Sequence, residues 1–411
     1  MELLSPVGNR SMLTAVIEAG CDAVYFGVQG LNMRAAANNF SIEELSEIIN
    51  YCHQHNVKAH CTVNIIIFQK ELSLLHTTLT ALKLANIDAV ICWDLAVIKQ
   101  CEELGIEVHL STQASVSNSD SAQLWKELGV RRIVLARECA LEDIKEIKEK
   151  ANIEVECFIH GARCISLSGR CFMSQELFNK SANRGECLQP CRREYKVTDE
   201  EGKEMIMSNN FIMSAKDLCA LPLLPKLIEI GVDCFKIEGR NRGAEYAYKV
   251  TSVYRKALDA IKNNTFTEEL IKKLTEDLQE VYNKDLSQGF FIDYPHHERT
   301  NVYGSKATTE KIQLGKVSNF YKKLNVVEFK IEYESLSQGD KISFIGDTTG
   351  YYEQIVEEIH TDNGKVVQAQ KGEIISIKLN KPVRENDKIF LIGERKKADC
   401  QYHHPGKDIT K

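Results

Sequence analysis

The sequence predicts an α/β protein, a (β/α)8 TIM-like barrel with a cysteine-rich insertion after strand 7 and a small C-terminal antiparallel β-barrel. Eight short apolar segments alternate with amphipathic helical segments over about 260 residues, as a (β/α)8 barrel requires. Roughly 70 residues separate the seventh apolar segment from the eighth, which is far more than one helix needs. From Lys311 onward the pattern changes to short strands separated by turn residues, which is typical of a small antiparallel barrel.

The eight predicted strands are largely apolar, as expected when both faces of a strand are buried. They span residues 2–5, 23–28, 58–65, 89–94, 107–112, 132–136, 155–160 and 234–238. A doubly wound open sheet is the alternative arrangement of such units. The long helical segment 244–261 after the eighth strand favours the barrel, because it can close the ring of helices.

Amphipathic segments predict helices at 42–53, 70–84, 121–128 and 141–150, and a further helix, 268–282, follows segment 244–261. Ser41 and Glu44 have the spacing of a capping box at the start of the first of these helices. We therefore predict a catalytic barrel over 1–285 with the insertion at 161–215. A linker over 286–310 and the small β-barrel over 311–400 follow it.

Composition and charge exclude several classes of protein. A hydrophobic share of 43% and a charged share of 27% are ordinary for a folded chain, so disorder is excluded. The apolar runs fall well short of the ~20 residues of a membrane-spanning helix, so no membrane partner is expected. The N-terminal segment has an acid at Glu2 and lacks the features of a secretory signal, which predicts a cytoplasmic protein. The net charge of -6 argues against nucleic-acid binding through overall positive charge but leaves room for local basic patches.

The 14 cysteines are the most informative feature of the composition, because a reducing cytoplasm disfavours disulfides. Four lie in the insertion with the spacing Cys164-x6-Cys171-x15-Cys187-x3-Cys191, among Gly, Ser, Asn and Arg residues. Four thiolates from one loop can bind a tetrahedral Zn ion or an iron-sulfur cluster, and the spacing does not choose between them. Four unconnected thiols are the alternative. The others are predicted to be buried apolar side chains: Cys21, Cys52, Cys61, Cys92, Cys101, Cys139, Cys157, Cys219, Cys234 and Cys400.

Polar side chains follow several predicted strands, and the carboxyl ends of barrel strands share one mouth with the insertion. Such a set can hold a small anion, because guanidinium groups make paired hydrogen bonds to carboxylates. A solvated loop residue or a helix-capping ion pair is the alternative for any one of them. The candidate substrate-binding residues are Arg34, Asn64, Gln113, Arg137, His160, Arg163, Glu238 and Arg240, with Asp94, Thr112 and Glu138 nearby.

No catalytic residue is assigned from the sequence. His160 can act as a general acid or base, but a histidine at a strand end can equally fix a turn by hydrogen bonding. The sequence contains no GxSxG elbow and no HExxH helix, so a hydrolase interpretation lacks a nucleophile or a metal motif.

Basic residues surround the cysteines and would attract phosphate groups to one place on an acidic protein. Ordinary surface charge is the alternative. Phe172 and Tyr195 either stack on a nucleotide base or belong to the core. The basic residues are Arg163, Arg170, Lys180, Arg184, Arg192 and Arg193, with Glu176, Glu186 and Glu194 among them.

Several segments of the sequence together resemble one family. They are ELLSPVGN, DAVYFGVQ, STQASVSN, RIVLARE, FIHGARCISLSGRC, SANRGECLQPCR and FKIEGR, in this order over residues 1–260. The chain is similar to peptidase family U32, the collagenase-like proteases, and its C-terminal barrel is similar to that of the shorter members. The family's signature FIHG-x2-C-x6-C is intact from Phe158 to Cys171.

The resemblance implies an RNA-modifying enzyme. Members of this family include proteins that hydroxylate the wobble uridine of tRNA to 5-hydroxyuridine, a cytidine of large-subunit rRNA, or, without oxygen, a ubiquinone precursor. They are associated with a 4Fe-4S cluster and, in the RNA branch, with prephenate as the hydroxyl donor. Carried over by motif, the cluster ligands would be Cys164, Cys171, Cys187 and Cys191, with Zn as the alternative metal. Having all four in one segment favours the RNA branch.

Within that branch the short C-terminal region favours tRNA, contacted at its anticodon loop, whereas the segment SANRGEC is closer to the ribosomal type. We therefore expect prephenate-dependent, oxygen-independent hydroxylation of the tRNA wobble uridine. The alternatives are 23S rRNA cytidine hydroxylation, a collagenase-like peptidase and a non-catalytic RNA-binding factor with structural Zn. A homologous protein is a candidate partner subunit, and the C-terminal barrel is expected to contact RNA or a partner.

Overall fold

Eight parallel strands form a closed barrel in the computed structural model, which describes residues 1–34, 39–204, 210–295, 298–302 and 304–395. Each strand pairs with the next, and β8 pairs with both β7 and β1, so the ring is complete. The predicted barrel is confirmed and the open sheet is excluded. The strands are β1 Glu2–Pro6, β2 Ala23–Gly27, β3 Lys58–Thr62, β4 Ala89–Cys92, β5 Val108–Leu110, β6 Arg132–Val134, β7 Glu154–Gly161 and β8 Cys234–Ile237.

Helices follow the strands around the outside of the barrel. The predicted start at residue 42 is three residues early, because a turn precedes α2 and the helix begins at Leu45. Ser41 N nevertheless donates to Glu44 Oε2 at 2.9 Å, which is one half of the predicted capping box. The helices are α1 Arg10–Glu18, α2 Leu45–Gln54, α3 Leu72–Leu84, α4 Leu95–Leu104, α5 Ser119–Glu127, α6 Leu141–Ala151, α7 Leu224–Ile230, α8 Ala244–Lys262 and α9 Glu268–Glu280. None of the described helices is long and apolar enough to cross a bilayer.

The apolar core lies between the strands and the helices, and it explains most of the cysteines. Thiols behave there as small apolar side chains. The prediction for these residues is confirmed, apart from Cys400, which lies outside the described residues. The buried thiols are Cys21, Cys52, Cys61, Cys92, Cys101, Cys139, Cys157, Cys219 and Cys234.

The insertion leaves the barrel at the end of β7 and returns to the same strand. Its short helix, Met173–Phe178, is followed by the strand Asp217–Cys219, which pairs antiparallel with the end of β7. The strand Leu286–Ser287 then pairs parallel with Asp217–Cys219. Part of the predicted linker 286–310 is therefore packed onto the insertion and helps to build the barrel mouth.

The C-terminal region consists of antiparallel sheets around its own apolar core, as predicted. The first strand is long and bends near Gly315, so it pairs with Lys388–Glu394 along one half and with Val326–Lys330 along the other. Residues 396–400 of the predicted domain lie outside the described residues. The strands of the larger sheet, in spatial order, are Gly350–Ile355, Lys341–Gly346, Lys388–Glu394, Thr309–Tyr321, Val326–Lys330, Ile374–Lys378, Ile359–Thr361 and Gly364–Val366; Leu336–Ser337 pairs with Gln368–Ala369.

The C-terminal sheets pack directly on α1 and α8 of the barrel. Tyr351 is 1% exposed and belongs to the apolar core of the barrel, where its ring lies 5.3 Å from that of Tyr248. Thr14 Oγ1 donates to the backbone oxygen of Asp347 at 2.7 Å. Lys249 Nζ donates to Glu353 Oε1 at 2.8 Å. These contacts join the two parts of the chain through buried as well as charged groups.

Candidate active site at the barrel mouth

A cavity of about 180 Å³ lies at the carboxyl ends of the barrel strands, beneath the insertion. Its wall contains seven of the eight predicted substrate-binding residues and all four cysteines of the insertion. The topology therefore brings together two predicted sets that are far apart in sequence. The predicted residues in this wall are Arg34, Asn64, Gln113, Arg137, Arg163, Glu238, Arg240, Cys164, Cys171, Cys187 and Cys191.

Three arginines gather around one buried carboxylate. Glu238 directly follows β8, and its Oε1 accepts from Arg34 Nη2 at 3.1 Å, while its Oε2 lies 4.0 Å from Arg137 Nη2. Burial alone would raise the pKa of Glu238, but Arg34, Arg137 and Arg240 lower it to about 2. Arg240 Nη1 donates to Thr62 Oγ1 at 2.7 Å, on the end of β3. The carboxylate is therefore ionised and holds the guanidinium groups together.

Positive charge exceeds negative charge in this cluster, and two buried donors remain open. Arg240 Nε and Arg163 Nη1 are buried and have no hydrogen-bond partner in the described part of the chain. Burial and the neighbouring Arg34 lower the pKa of Arg240 to about 10. Arg163 uses its other terminal nitrogen, because Nη2 donates to Glu298 Oε2 at 3.3 Å. Unused donors in a cationic cavity are suited to the oxygens of an anion.

Asn64 and Gln113 organise the cavity wall through the backbone. Asn64 Oδ1 accepts from Met33 N at 3.1 Å, and Gln113 Nε2 donates to Asn64 O at 3.2 Å. A side chain at Gly169 would lie 2.6 Å from Gln113 Cγ, and this glycine has φ +73°, so the insertion can approach β5 closely only with glycine here. The first half of the insertion is thereby seated on the barrel.

His160 does not line the cavity, although the sequence places it with the strand-end residues. It is 2% exposed and lies between β7 and α8, where its Nδ1 is 3.3 Å from Tyr254 Oη. Burial lowers the pKa of His160 to about 3, so the ring is neutral. Regular alternation along β7 would place His160 on the same side as Phe158, which lines the cavity. The pairing of β7 with β8 shifts register between Phe158 and His160, so His160 faces away from the cavity. This position fits the second interpretation of the sequence, a histidine that supports the local structure by hydrogen bonding.

The four insertion cysteines differ from the other described cysteines in their exposure. Cys164 and Cys187 are exposed, and Cys171 and Cys191 are partly buried. Burial, with a smaller contribution from the nearby Cys164, Cys187 and Cys171, raises the pKa of the Cys191 thiol to about 11, although Arg192 lowers it. The four thiols therefore lie near one another around one cavity. Among the described residues, no three His, Cys, Asp or Glu side chains are arranged so that they could hold a metal ion.

The basic rim predicted around the cysteines is partly used for structure. Arg184 forms an ion pair with Glu71, Lys180 forms one with Glu186, and Arg192 Nη2 donates to Arg163 O at 3.0 Å. Tyr195 Oη donates to Pro190 O at 2.9 Å, so this ring supports the insertion. Phe172, in contrast, is 66% exposed beside the cavity. Of the two predicted stacking residues, Phe172 is the one that faces solvent.

Sequence reasoning missed the charged residue on the cavity floor. Lys236 is 3% exposed, lines the cavity and donates from Nζ to Glu156 Oε1 at 2.6 Å. The signal was present, because Lys236 interrupts the apolar segment CFKIE and Glu156 interrupts VECFIH. A polar residue flanked by apolar residues in a barrel strand points to the barrel interior.

Comparison with known proteins identifies the family. A family model described as Peptidase family U32 matches residues 8–301, which include β2 to β8 and the whole insertion. The chain belongs to peptidase family U32. The expected resemblance is therefore confirmed, and the cysteine-lined cavity lies inside the matched region.

Relatives within peptidase family U32 have names of two kinds. The "Collagenase" of Porphyromonas gingivalis is 40% identical over 407 residues, which cover 96% of this chain and 98% of the relative. The "tRNA hydroxylation protein P1" of Bacillus subtilis is 36% identical over 393 residues, which cover 93% of this chain and 92% of the relative. The "23S rRNA 5-hydroxycytidine C2501 synthase" of Escherichia coli is 36% identical over 261 residues, which cover 64% of this chain and 40% of the relative.

Proposed function

We propose that this member of peptidase family U32 hydroxylates the wobble uridine of tRNA to 5-hydroxyuridine without molecular oxygen. The observation that carries the proposal is the shared cavity, in which four thiols and an excess of guanidinium groups face one space. The B. subtilis relative supports tRNA as the substrate, because the two chains align over nearly their whole lengths. The proposal places the enzyme in the cytoplasm, together with its RNA.

The charge of the cavity supports a small dicarboxylate, such as prephenate, as the co-substrate. Three guanidinium groups, those of Arg34, Arg137 and Arg240, surround the one carboxylate of Glu238. A doubly negative ligand would balance the two remaining positive charges. Arg240 Nε and Arg163 Nη1 would donate to its oxygens.

The thiols support a 4Fe-4S cluster on Cys164, Cys171, Cys187 and Cys191. All four thiols line one cavity, and Cys thiolates are the ligands of iron-sulfur clusters. Four thiolates also bind zinc, so the metal content of the purified protein decides between the two. A bound cluster would supply one-electron transfer beside the co-substrate.

The proposed reaction exchanges a hydroxyl group for a hydrogen atom. RNA–H and the donor R–OH give RNA–OH and R–H: the C5–H bond of uracil and the C–O bond of the donor break, and new C–O and C–H bonds form. The base loses two electrons and the donor gains them, so no external oxidant is needed. Arg34, Arg137 and Arg240 would orient the donor, and the insertion would exclude water from the cavity.

The surface around the cavity supports a single-stranded RNA loop. Ile165 lines the cavity and is 44% exposed, and Phe172 is 66% exposed beside it. Residues 161–195 contain six Arg and Lys residues and three Glu, on a chain of net charge -6. Apolar platforms among basic residues are typical of sites that stack unpaired bases. A base in an anticodon loop leaves its stack at little cost in free energy, as chemistry at C5 requires.

Two measurements test the proposal. Nucleoside mass spectrometry of tRNA from a deletion strain should show loss of 5-hydroxyuridine derivatives, restored by the wild-type gene. Protein purified without oxygen should contain about four iron and four sulfide per chain. Unchanged tRNA nucleosides, or one zinc per chain in place of iron, would contradict the proposal.

Two other functions have support from relatives. The E. coli relative favours 23S rRNA, so 5-hydroxycytidine is measured in rRNA from the same deletion strain. The P. gingivalis relative favours a peptidase. Among the described residues, however, no serine hydroxyl or cysteine thiol is hydrogen-bonded to a histidine. Gelatin cleavage by the purified protein, abolished by changing one cavity residue, would favour the peptidase.

A further inference from the structure

A chain of ion pairs runs from the surface through the inside of the barrel and ends at the cavity. Lys58 Nζ donates to Glu2 Oε2 at 3.0 Å, and Arg132 Nη1 donates to Glu2 Oε1 at 2.6 Å. Arg132 Nη1 also lies 3.4 Å from Glu156 Oε2, and Lys236 Nζ donates to Glu156 Oε1 at 2.6 Å. We call these five residues the ion chain. Lys58 meets solvent at one end, and Lys236 lines the cavity at the other.

Stability alone does not account for a charged pair at this place. Glu156 is 0% exposed and Lys236 is 3% exposed, so both groups have lost their hydration. Well-packed apolar residues stabilise such a position at least as well as a buried ion pair does. The ion chain therefore fixes a cation at the cavity floor, with an acid beneath it that is itself fixed by Arg132.

Lys236 also adjoins the arginine cluster through two aromatic rings. Its Nζ lies 4.5 Å from the centre of the Tyr25 ring and 5.3 Å from that of Phe158. The Arg240 guanidinium lies 5.6 Å from the Tyr25 ring centre, and the Arg137 guanidinium lies 4.2 Å from that of Phe158. Between them, the three cations thus contact two aromatic rings, both of which line the cavity.

The ammonium group has donors to spare. An ammonium group carries three N–H donors. Among the described residues, Glu156 is the one acceptor recorded within hydrogen-bond distance of Lys236 Nζ. Since Nζ is buried and lines the cavity, a ligand in the cavity is what its other donors can meet.

We propose that Lys236 is a ligand-binding residue, whose ammonium group donates to an oxygen of a small organic carboxylate on the cavity floor. Glu156 and the rest of the ion chain hold the ammonium group in position. This inference rests on the proposed function only in taking the ligand to be a carboxylate. It adds a contact at the barrel floor to the arginines at the mouth.

The test compares carboxylate binding by the full-length protein and two variants, measured by isothermal titration calorimetry. In E156Q/K236M both charges are removed together, so neither is left buried without its partner. The matched control, Glu154→Gln, removes an acid that pairs with Arg132 away from the cavity. Prephenate and, separately, malonate, succinate and phthalate are titrated, and thermal melting checks the fold of each variant.

We expect E156Q/K236M to melt as the wild type does and to bind the carboxylate roughly 10- to 100-fold more weakly, as for a lost hydrogen bond to a charged group. Glu154→Gln should bind as the wild type does. Wild-type affinity in a folded E156Q/K236M would overturn the inference, as would absence of binding of every carboxylate to the wild type. If E156Q/K236M does not fold, Lys236→Arg is measured instead, because it keeps the positive charge but moves the N–H donors. Weaker carboxylate binding by Lys236→Arg would support the inference, and unchanged binding would contradict it. If the wild-type protein binds a simple dicarboxylate but not prephenate, prephenate is not the co-substrate. The Lys236 inference is then tested with the simple dicarboxylate and the same variants.

Discussion

Glu238 Oε1 lies 3.1 Å from Arg34 Nη2, and this contact joins the end of β8 to the loop after β2 across the cavity mouth. Two further arginines act on the same carboxylate: Arg137, which follows β6, and Arg240, which lies two residues after Glu238. Without that carboxylate the three guanidinium groups would repel one another in a buried space. Glu238 is therefore the residue that makes a positively charged cavity compatible with a folded barrel.

Glu238→Gln should destabilise the fold by about 3–5 kcal/mol at neutral pH, because it leaves buried cations without their acid. The pKa of Glu238 is lowered to about 2 in the folded protein, so its contribution is present above about pH 4.5 and is lost as the pH falls toward 2. Urea unfolding between pH 6 and pH 3 measures both effects. Glu186→Gln removes a surface partner of Lys180 and should change little. Equal losses in the two variants would contradict this account.

His160 should make folding stability sensitive to acid. Its pKa is lowered to about 3 in the folded protein, against 6.5 for an ordinary histidine, so the unfolded chain binds the proton first as pH falls. Its contribution is complete above pH 6.5 and declines below it by up to about 1.4 kcal/mol per pH unit. His160→Gln should make the free energy of unfolding less dependent on pH between pH 6.5 and pH 5, because close to one proton fewer is taken up on unfolding. His55→Gln, an exposed control, should leave the slope unchanged.

Cys187→Ser should remove most of the iron from protein purified without oxygen, because one of four proposed ligands is lost. The measurement is iron and sulfide per chain, with the visible absorption spectrum. Cys101→Ala changes a buried thiol on α4 and should keep the iron content of the wild type. An equal loss in both variants would indicate that the iron depends on the fold and not on this thiol.

Gly350→Ala should loosen the C-terminal sheets from the barrel. A Cβ atom here would lie 2.8 Å from Ala15 N on α1, and the glycine has φ +65°. Gly105→Ala is the matched control, because Gly105 has φ +61° and a Cβ atom there would meet only Lys83 Nζ, at 3.5 Å. We expect Gly105→Ala to cost about 1 kcal/mol and Gly350→Ala clearly more. Thermal unfolding measures the difference. Equal losses of stability in the two variants would show that the close approach of Gly350 to α1 does not contribute to stability.

Phe172→Ala should weaken binding of an anticodon stem-loop RNA by about 5- to 100-fold, the usual loss for one base-stacking ring. Fluorescence anisotropy at fixed salt measures the affinity. Leu124→Ala removes a side chain of 58% exposure from α5, outside the cavity wall, and serves as the control. RNA binding that is the same in both variants would exclude Phe172 from the RNA contact.

The sequence was sufficient to predict all eight barrel strands and the place of the insertion, because apolar runs and spacing reflect local chain physics. It was also sufficient to place the arginines at the barrel mouth, since residues after barrel strands share one mouth. Their role in substrate binding stays a prediction. It failed for His160, because a register shift between Phe158 and His160 turns this residue away from the cavity, and the sequence does not show such an irregularity. The partnership of Lys236 with Glu156 joins two strands distant in sequence, and no local pattern encodes that pairing.

The apolar cores of the barrel and of the C-terminal sheets contain none of the four insertion cysteines. Neither core depends on those thiols, so we expect the chain to fold whether or not the proposed cluster is bound. The proposed cluster, if lost to oxidation, would then be replaceable without refolding the chain.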